Sequence, residues 1–209
     1  MTLFVEPLER RVLLSATKVT LASDVAAIVA DVQSTRVTFQ SLRSVVVSGE
    51  RAIGSALRGL PDPGQNRTLL RRAELDASRL FSITLVSASA LVTVGTLRSR
   101  HAAEDGDILL THPTNAFLKN HVARHVQALN TQIPSLGQAL ETRVAAALQK
   151  WDSDLSNLLL VNAANAGVAS GVQTAENDAI AQVGRFTAAA AQFEEDIVTL
   201  GNDLLSIGN

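Results

Sequence analysis

Several residue types that support protein chemistry are missing or scarce in this 209-residue sequence. It contains no cysteine, which excludes disulfide bonds, thiolate metal sites and thiol catalysis. It contains no tyrosine, and aromatic residues make up only 3% of the chain, so few side chains are available to stack on nucleic-acid bases. The net charge of −2 excludes a globally basic nucleic-acid binder.

Motifs of common enzyme classes are also absent from the sequence. There is no glycine-rich dinucleotide-binding motif, no phosphate-binding loop and no GxSxG nucleophile elbow. None of the apolar helical stripes described below contains Asp, Glu or His, which a carboxylate-bridged metal centre inside a bundle would need. We therefore expect a protein that is not an enzyme and that has no cofactor.

What the sequence does contain is apolar residues at helical spacing. Hydrophobic residues make up 46% of the chain and charged residues 18%, which argues against intrinsic disorder. From Leu21 to Leu60, apolar positions alternate by three and four residues, as in a helix that turns one face toward a partner. Pro61, Pro63 and Gly64 then predict the end of this first helix.

Three further segments repeat the pattern, with stripes from Leu70 to Val94, from Leu118 to Leu158 and from Val172 to Ile207. The third stripe stays in phase across Pro134, where the missing backbone donor predicts a kink or a short break. The acidic stretch at residues 103–113 predicts a loop between the second and third helices, and Thr114 is a plausible cap for the third.

Four amphipathic helices joined by short connections predict an all-α fold. The simplest arrangement is an elongated antiparallel up-down four-helix bundle with coiled-coil-like packing. We assign residues 19–209 to a single helical-bundle domain and residues 1–18 to an N-terminal targeting-like tail. An intertwined dimer would bury the same stripes, so the pattern leaves the oligomeric state open.

The tail contains a segment with a distinctive residue order. Residues 6–16 read Glu-Pro-Leu-Glu-Arg-Arg-Val-Leu-Leu-Ser-Ala. They resemble the LEPR-XLL segment, which occurs at the N-termini of many predicted surface and exported proteins of planctomycete bacteria. Arg10 stands where the pattern that gives the segment its name has proline. The resemblance implies export or association with the cell envelope, with a cytoplasmic location as the alternative, and implies nothing about the remaining residues.

Charge is unevenly distributed along the chain. The first 100 residues hold 13 Lys or Arg and 8 Asp or Glu, whereas the remainder holds 5 and 12. A line of arginines on the first helix and acidic residues on the fourth suggest that basic and acidic faces meet, either within one bundle or between chains. The candidate interaction residues are Arg36, Arg43, Arg51 and Arg58.

Two histidines on the predicted third helix deserve comparison with metal sites. His121 and His125 are four residues apart and therefore share a helix face. They lack the glutamate of the HExxH pattern, they flank the apolar stripe, and Arg124 beside them would repel a cation. We expect ordinary surface histidines and no metal site, with metal binding through this pair as an alternative.

A membrane segment is a further alternative. From Leu80 to Leu97 the chain has 18 residues without charge, which just reaches the length of a membrane-spanning helix. Seven of these 18 residues are Ser, Thr or Gly, a composition that suits a closely packed bundle core equally well. A membrane-active, pore-forming-like protein that uses this segment is therefore the second hypothesis, and membrane contact is not favoured.

Taken together, these observations predict a non-enzymatic helical-bundle protein that acts in interaction or assembly. Its partner would be another protein or a second copy of the chain, and not a nucleic acid.

Overall fold

The computed structural model describes the backbone of residues 5–58, 60–61 and 63–207, and the side chains within these ranges from residue 18 onward. These residues form four α-helices and no strand: α1 Val5–Ala56, α2 Pro63–Thr111, α3 Ala116–Val161 and α4 Ala166–Ile207. The helices contain 52, 49, 46 and 42 residues. The predicted all-α, four-helix fold is confirmed.

The chain forms two compact units, each built from a segment of every helix. The first unit comprises Met1–Gln33, Ala90–Gly137 and Ala191–Asn209, and the second comprises Ser34–Ser89 and Gln138–Ala190. Within the first unit, the early parts of α1 and α3 lie with the late parts of α2 and α4, and the second unit has the reverse combination. Consecutive helices therefore run in opposite directions, as in the predicted up-down bundle.

The predicted apolar stripes form the core of each unit. Trp151, the single tryptophan, is fully buried in the second unit. Burying a side chain of the size of leucine contributes roughly 1.5–3 kcal/mol relative to leaving it exposed, so the stripes account for most of the favourable packing. The buried residues around Trp151 are Leu42, Val46, Ile53, Leu57, Ala73, Ala77, Leu155, Leu158, Val168, Val172, Ala175 and Ala179.

The core of the first unit is likewise formed by apolar stripes on the helices. Each of the four helices contributes buried apolar side chains, and on α1, α3 and α4 these recur at intervals of three, four or seven residues. The larger ones are Leu21, Ile28, Leu91, Leu109, Val122, Val126, Leu129, Ile133, Phe193, Ile197, Leu200 and Leu204.

The second helix is longer than the sequence pattern predicted. Residues 103–111 were expected in a loop, but they continue α2 to Thr111. Ala102, Leu109 and Leu110 are buried, so helical spacing of core residues persists beneath the acidic surface positions. The loop prediction was wrong because Glu104 and Asp107 occupy exposed positions, and Asp105 a half-buried one, of a continuous helix.

The connection between α2 and α3 is correspondingly short, and Asn115 caps the third helix. Its Oδ1 accepts hydrogen bonds from the backbone N–H groups of Phe117 (3.0 Å) and Leu118 (3.2 Å). These are the unpaired donors that the first turn of every helix leaves free. The cap is therefore Asn115 and not Thr114.

Pro134 lies inside α3, which is continuous from Ala116 to Val161. The sequence predicted a kink or a short break at this position, and the structure has no break there. Pro134 is exposed whereas Ile133 is buried, so the missing backbone donor is on the solvent side, where water can satisfy the freed carbonyl group. The stripe passes this position without losing its contacts.

The side chains of the predicted N-terminal tail lie largely outside the described part of the chain, although its backbone from residue 5 onward belongs to α1. The backbone of α1 begins at Val5, so the helix starts earlier than the apolar stripe. The side chains of the LEPR-XLL-like segment, residues 6–16, are not among the described ones. A separate tail at residues 1–18 stays a prediction.

Helices α1 and α4 approach closely in the second unit. A Cβ atom added to Gly49 would lie 2.5 Å from the Cβ and 3.2 Å from the Cα of Ala175. A Cβ atom on Gly171 would lie 3.3 Å from Cγ1 of Ile53. Because the closest atoms at Gly49 belong to a short side chain and the backbone, the helices themselves would have to move apart to admit a larger residue.

We therefore expect Gly49→Ala to destabilise the protein by about 1–3 kcal/mol through overpacking. Gly184→Ala on α4 is the matched control, because no atom lies within 4 Å of a Cβ there. That control should stabilise by about 0.5–1 kcal/mol, since alanine is the better helix former. Urea unfolding followed by circular dichroism measures both, and equal stabilisation by the two substitutions would contradict the close approach.

Candidate metal site and interaction faces

In the first unit, a carboxylate of α2 meets both histidines of the i, i+4 pair on α3. Oδ2 of Asp105 lies 2.9 Å from Nδ1 of His125 and 3.4 Å from Nε2 of His121. The two imidazole rings are 4.4 Å apart between centroids and tilted by 51°. Each of the three residues thus offers one donor atom. These three atoms all lie within 4.8 Å of one another, which is close enough for one metal ion to contact all of them.

The helix register explains why these three residues meet. Asp105 lies between buried residues of α2, Ala102 and Leu109, so it faces the edge of the core. His121 and His125 each precede a buried valine of α3, so they flank that stripe as predicted. Sequence reasoning missed Asp105 because it placed the residue in a loop. The apolar spacing that continues through Leu109 was the signal that could have placed it on α2.

The three side chains are sheltered but not enclosed. The histidine side chains are 37% and 35% exposed, and that of Asp105 is 19% exposed. Oδ2 of Asp105 is buried and accepts no hydrogen bond from any residue in the described ranges. Two imidazole nitrogens and one carboxylate oxygen are ligands that zinc and other first-row divalent metals use.

Neighbouring polar residues stay outside this cluster. His101 pairs with Glu104 at 3.5 Å, one turn apart on α2. Arg124, which the sequence analysis treated as a source of repulsion, is exposed, and its Nε donates to the backbone carbonyl of Asn120 at 3.3 Å. A cavity of about 230 Å³ lies against His125 and is also lined by Leu97, Arg98 and His101.

The four candidate interaction arginines lie in the second unit and are all exposed; Arg36, Arg43 and Arg51 belong to α1, whereas Arg58 lies in the turn that follows it. Spacings of seven and eight residues place the three arginines of α1 on one side of the helix over about 23 Å, and we call these three the arginine face. Within the described part of the chain, no ion pair joins them to a carboxylate. The suggestion that they meet acidic residues of α4 inside the same bundle is therefore not supported; the alternative, pairing between chains, stays a prediction.

Where α1 meets α4 in the first unit, carboxyl groups face carboxyl groups. Burial and the neighbouring Asp203 raise the pKa of Asp24. Burial and the neighbouring Asp196 raise the pKa of Asp31 to about 6. In the first unit, the polar groups that meet beside the core of α1 and α4 are thus carboxyl groups on both helices, not the opposite charges that the overall distribution suggested.

A further perturbed carboxyl group lies in the second unit. Nε1 of the buried Trp151 donates a hydrogen bond of 3.3 Å to Oε1 of Glu50. Burial raises the pKa of Glu50 to about 7; the Trp151 bond lowers it, and the negative charge of Glu74 adds to the rise. The surroundings of Glu50 therefore disfavour its ionised form relative to an exposed glutamate, and its proton is lost only near pH 7.

The segment from Leu80 to Leu97 belongs to α2, which is long and apolar enough by length and composition to cross a membrane. Its most apolar 18-residue window has a mean hydropathy of 1.9, and 28% of that window is buried. Leu85 and Val86 are 52% and 61% exposed. The segment therefore presents uncharged surface to solvent in addition to its share of the core.

Comparisons with known proteins add the following. No protein-family profile and no curated protein matches this chain. Among solved structures, the chain is similar to the haptoglobin-hemoglobin receptor of Trypanosoma congolense. The similarity covers 96% of this chain and 92% of that chain, at 13% sequence identity and a TM-score of 0.31.

The raised carboxyl pKa values predict that stability increases as pH falls. The folded state binds these protons more tightly than the unfolded chain, so the free energy of unfolding rises as pH falls from about 7 toward the ordinary values of 3.8 and 4.5. Glu50→Gln should therefore stabilise by about 1–2 kcal/mol at pH 7.5 and have little effect at pH 5.

Urea unfolding at pH 5, 6 and 7.5 measures this effect, with the exposed Glu141→Gln on α3 as control. The control should leave the pH profile unchanged. Destabilisation by Glu50→Gln at pH 7.5 would show that the ionised carboxylate contributes favourably through Trp151, contrary to the expectation.

Proposed function

We propose that this chain is a non-enzymatic helical-bundle protein that acts in protein–protein interaction or assembly, exported or associated with the cell envelope. The observation that supports this function is the arginine face of α1 in the second unit, which forms no ion pair with any carboxylate that the structure describes. The LEPR-XLL-like order of residues 6–16 supports the exported location.

Arginine side chains favour a particular kind of partner. The guanidinium group is always charged and presents five N–H donors in a planar arrangement that matches a carboxylate with two parallel hydrogen bonds. Three such groups in line on α1, with no ion pair to a carboxylate among the described residues, fit the acidic face of a helix. The chain itself carries exposed acidic residues on α4, Asp178 and Glu195, so a second copy is the partner we propose.

Contacts of this kind act mainly on specificity and association rate and are weakened by salt. We expect the wild-type protein to self-associate at 20 mM salt and to be monomeric at 500 mM salt. The double substitution Arg43→Glu and Arg51→Glu should weaken self-association at least tenfold. Sedimentation velocity over a concentration series measures these states.

The matched control is Arg185→Glu, which reverses one exposed charge on α4. It should leave self-association unchanged or strengthen it. A wild-type protein that is monomeric at every concentration and salt level would contradict assembly from copies of this chain.

The exposed apolar surface of α2 favours a second candidate, a membrane-active protein that uses the segment from Leu80 to Leu97. Under this hypothesis the protein floats with liposomes, and the double substitution Leu85→Ser and Val86→Ser abolishes flotation. Leu205→Ser, at an exposed position on α4, is the control and should retain it. Absence of flotation with neutral and anionic liposomes at both pH 7.5 and pH 5 would contradict this candidate.

A further inference from the structure

We infer that Asp105, His121 and His125 form a binding site for one divalent first-row transition metal ion of the zinc type. The ion would join the last turns of α2 to the first turns of α3 within the first unit. This inference does not depend on the interaction function, because it uses other residues and another unit of the chain.

The spacing of the donor atoms matches the size of such an ion. Zinc binds imidazole nitrogen at about 2.0–2.1 Å and carboxylate oxygen at about 2.0–2.2 Å, so two ligands of a tetrahedral site are about 3.3 Å apart. The two nitrogen–oxygen distances here are 2.9 Å and 3.4 Å, and all three donor atoms lie within 4.8 Å of one another. Binding would therefore need only small side-chain movements.

The carboxylate oxygen of Asp105 is a second observation that supports a metal site. Oδ2 of Asp105 is buried and, among the described residues, has no hydrogen-bond partner, although His125 Nδ1 is only 2.9 Å away. In a tetrahedral site the nitrogen lone pair points at the metal, about 35° away from the line between nitrogen and oxygen. An N–H group in that direction makes a poor hydrogen bond. The buried oxygen thus lies close to an imidazole nitrogen and still has an acceptor site that a metal ion can use.

A simple ion pair explains the arrangement less well. A protonated histidine beside Asp105 would be stabilised by an N–H group aimed at the carboxylate. Here both imidazoles approach the same oxygen, with their rings 4.4 Å apart, so two positive charges would compete for one acceptor. A metal ion instead uses both neutral rings and the carboxylate at once.

Three protein ligands leave one position of a tetrahedral ion open. The remaining exposure of His121 and His125 gives solvent access to that position. The cavity lined by Leu97, Arg98 and His101 beside His125 provides room for water next to the site. A water molecule is therefore the fourth ligand that this geometry accommodates.

The test uses the full-length protein without a histidine tag, titrated with CoCl2 and then with ZnCl2. Cobalt in a tetrahedral site gives visible absorption bands, and zinc displaces it. We expect one metal ion per chain, and a melting temperature that rises by several degrees with excess ZnCl2, because the ion binds only where folding brings α2 and α3 together.

Single substitutions Asp105→Asn, His121→Gln and His125→Gln should each lower the affinity for Zn²⁺ at least tenfold. His101→Gln and His112→Gln are the matched controls, since both side chains lie outside the cluster, and they should bind Zn²⁺ like the wild type. Circular dichroism of each variant confirms that it is folded.

Two results would overturn the proposal. One is a wild-type protein that binds no stoichiometric Zn²⁺ at 100 µM. The other is Zn²⁺ binding that survives removal of all three proposed ligands or is lost in the His101 or His112 variant. Sedimentation with and without EDTA tests self-association separately from metal binding. Because the arginine face does not require the metal, EDTA should leave self-association unchanged.

Discussion

Burial of one apolar stripe on every helix is the interaction on which the rest of this structure depends. Isolated helices are marginally stable in water, so their stability in each unit comes from packing these stripes together. Regular stripes can also pack in registers that differ by a turn. In the second unit, Nδ2 of the buried Asn162 donates to Oδ1 of the buried Asn66 at 2.8 Å, and this polar pair favours one register of α3 against α2.

The polar groups beside the core adapt to the packing of the stripes. The carboxyl groups of Asp24 and Asp31 lie against other carboxyl groups because the apolar residues beside them hold α1 and α4 together. Glu50 is brought to the buried Trp151 for the same reason. The resulting rise in pKa is a local cost of good apolar packing, and it makes the stability of the bundle depend on pH between about 4.5 and 7.

The surfaces to which we assign a proposed function lie on helix faces that the core does not use. In the second unit, the arginine face of α1 is exposed and unpaired by the described residues, and α2 exposes uncharged side chains. In the first unit, Asp105 and the histidine pair lie at the edge of the core. Helix faces that the bundle does not need for its own stability are free to bind another chain or an ion. The proposed interaction function and the proposed metal site are independent uses of such faces.

The sequence by itself determined the number of helices, their order and the face that each one buries, because helical periodicity is a local property. It also placed His121 and His125 on one face. Only the tertiary structure decided what lies opposite these residues. Asp105 meets the histidines, and the aspartates of α1 meet those of α4 where opposite charges were expected, because such contacts depend on the register between helices distant in sequence. No local pattern encodes that register; it emerges when all the stripes pack together.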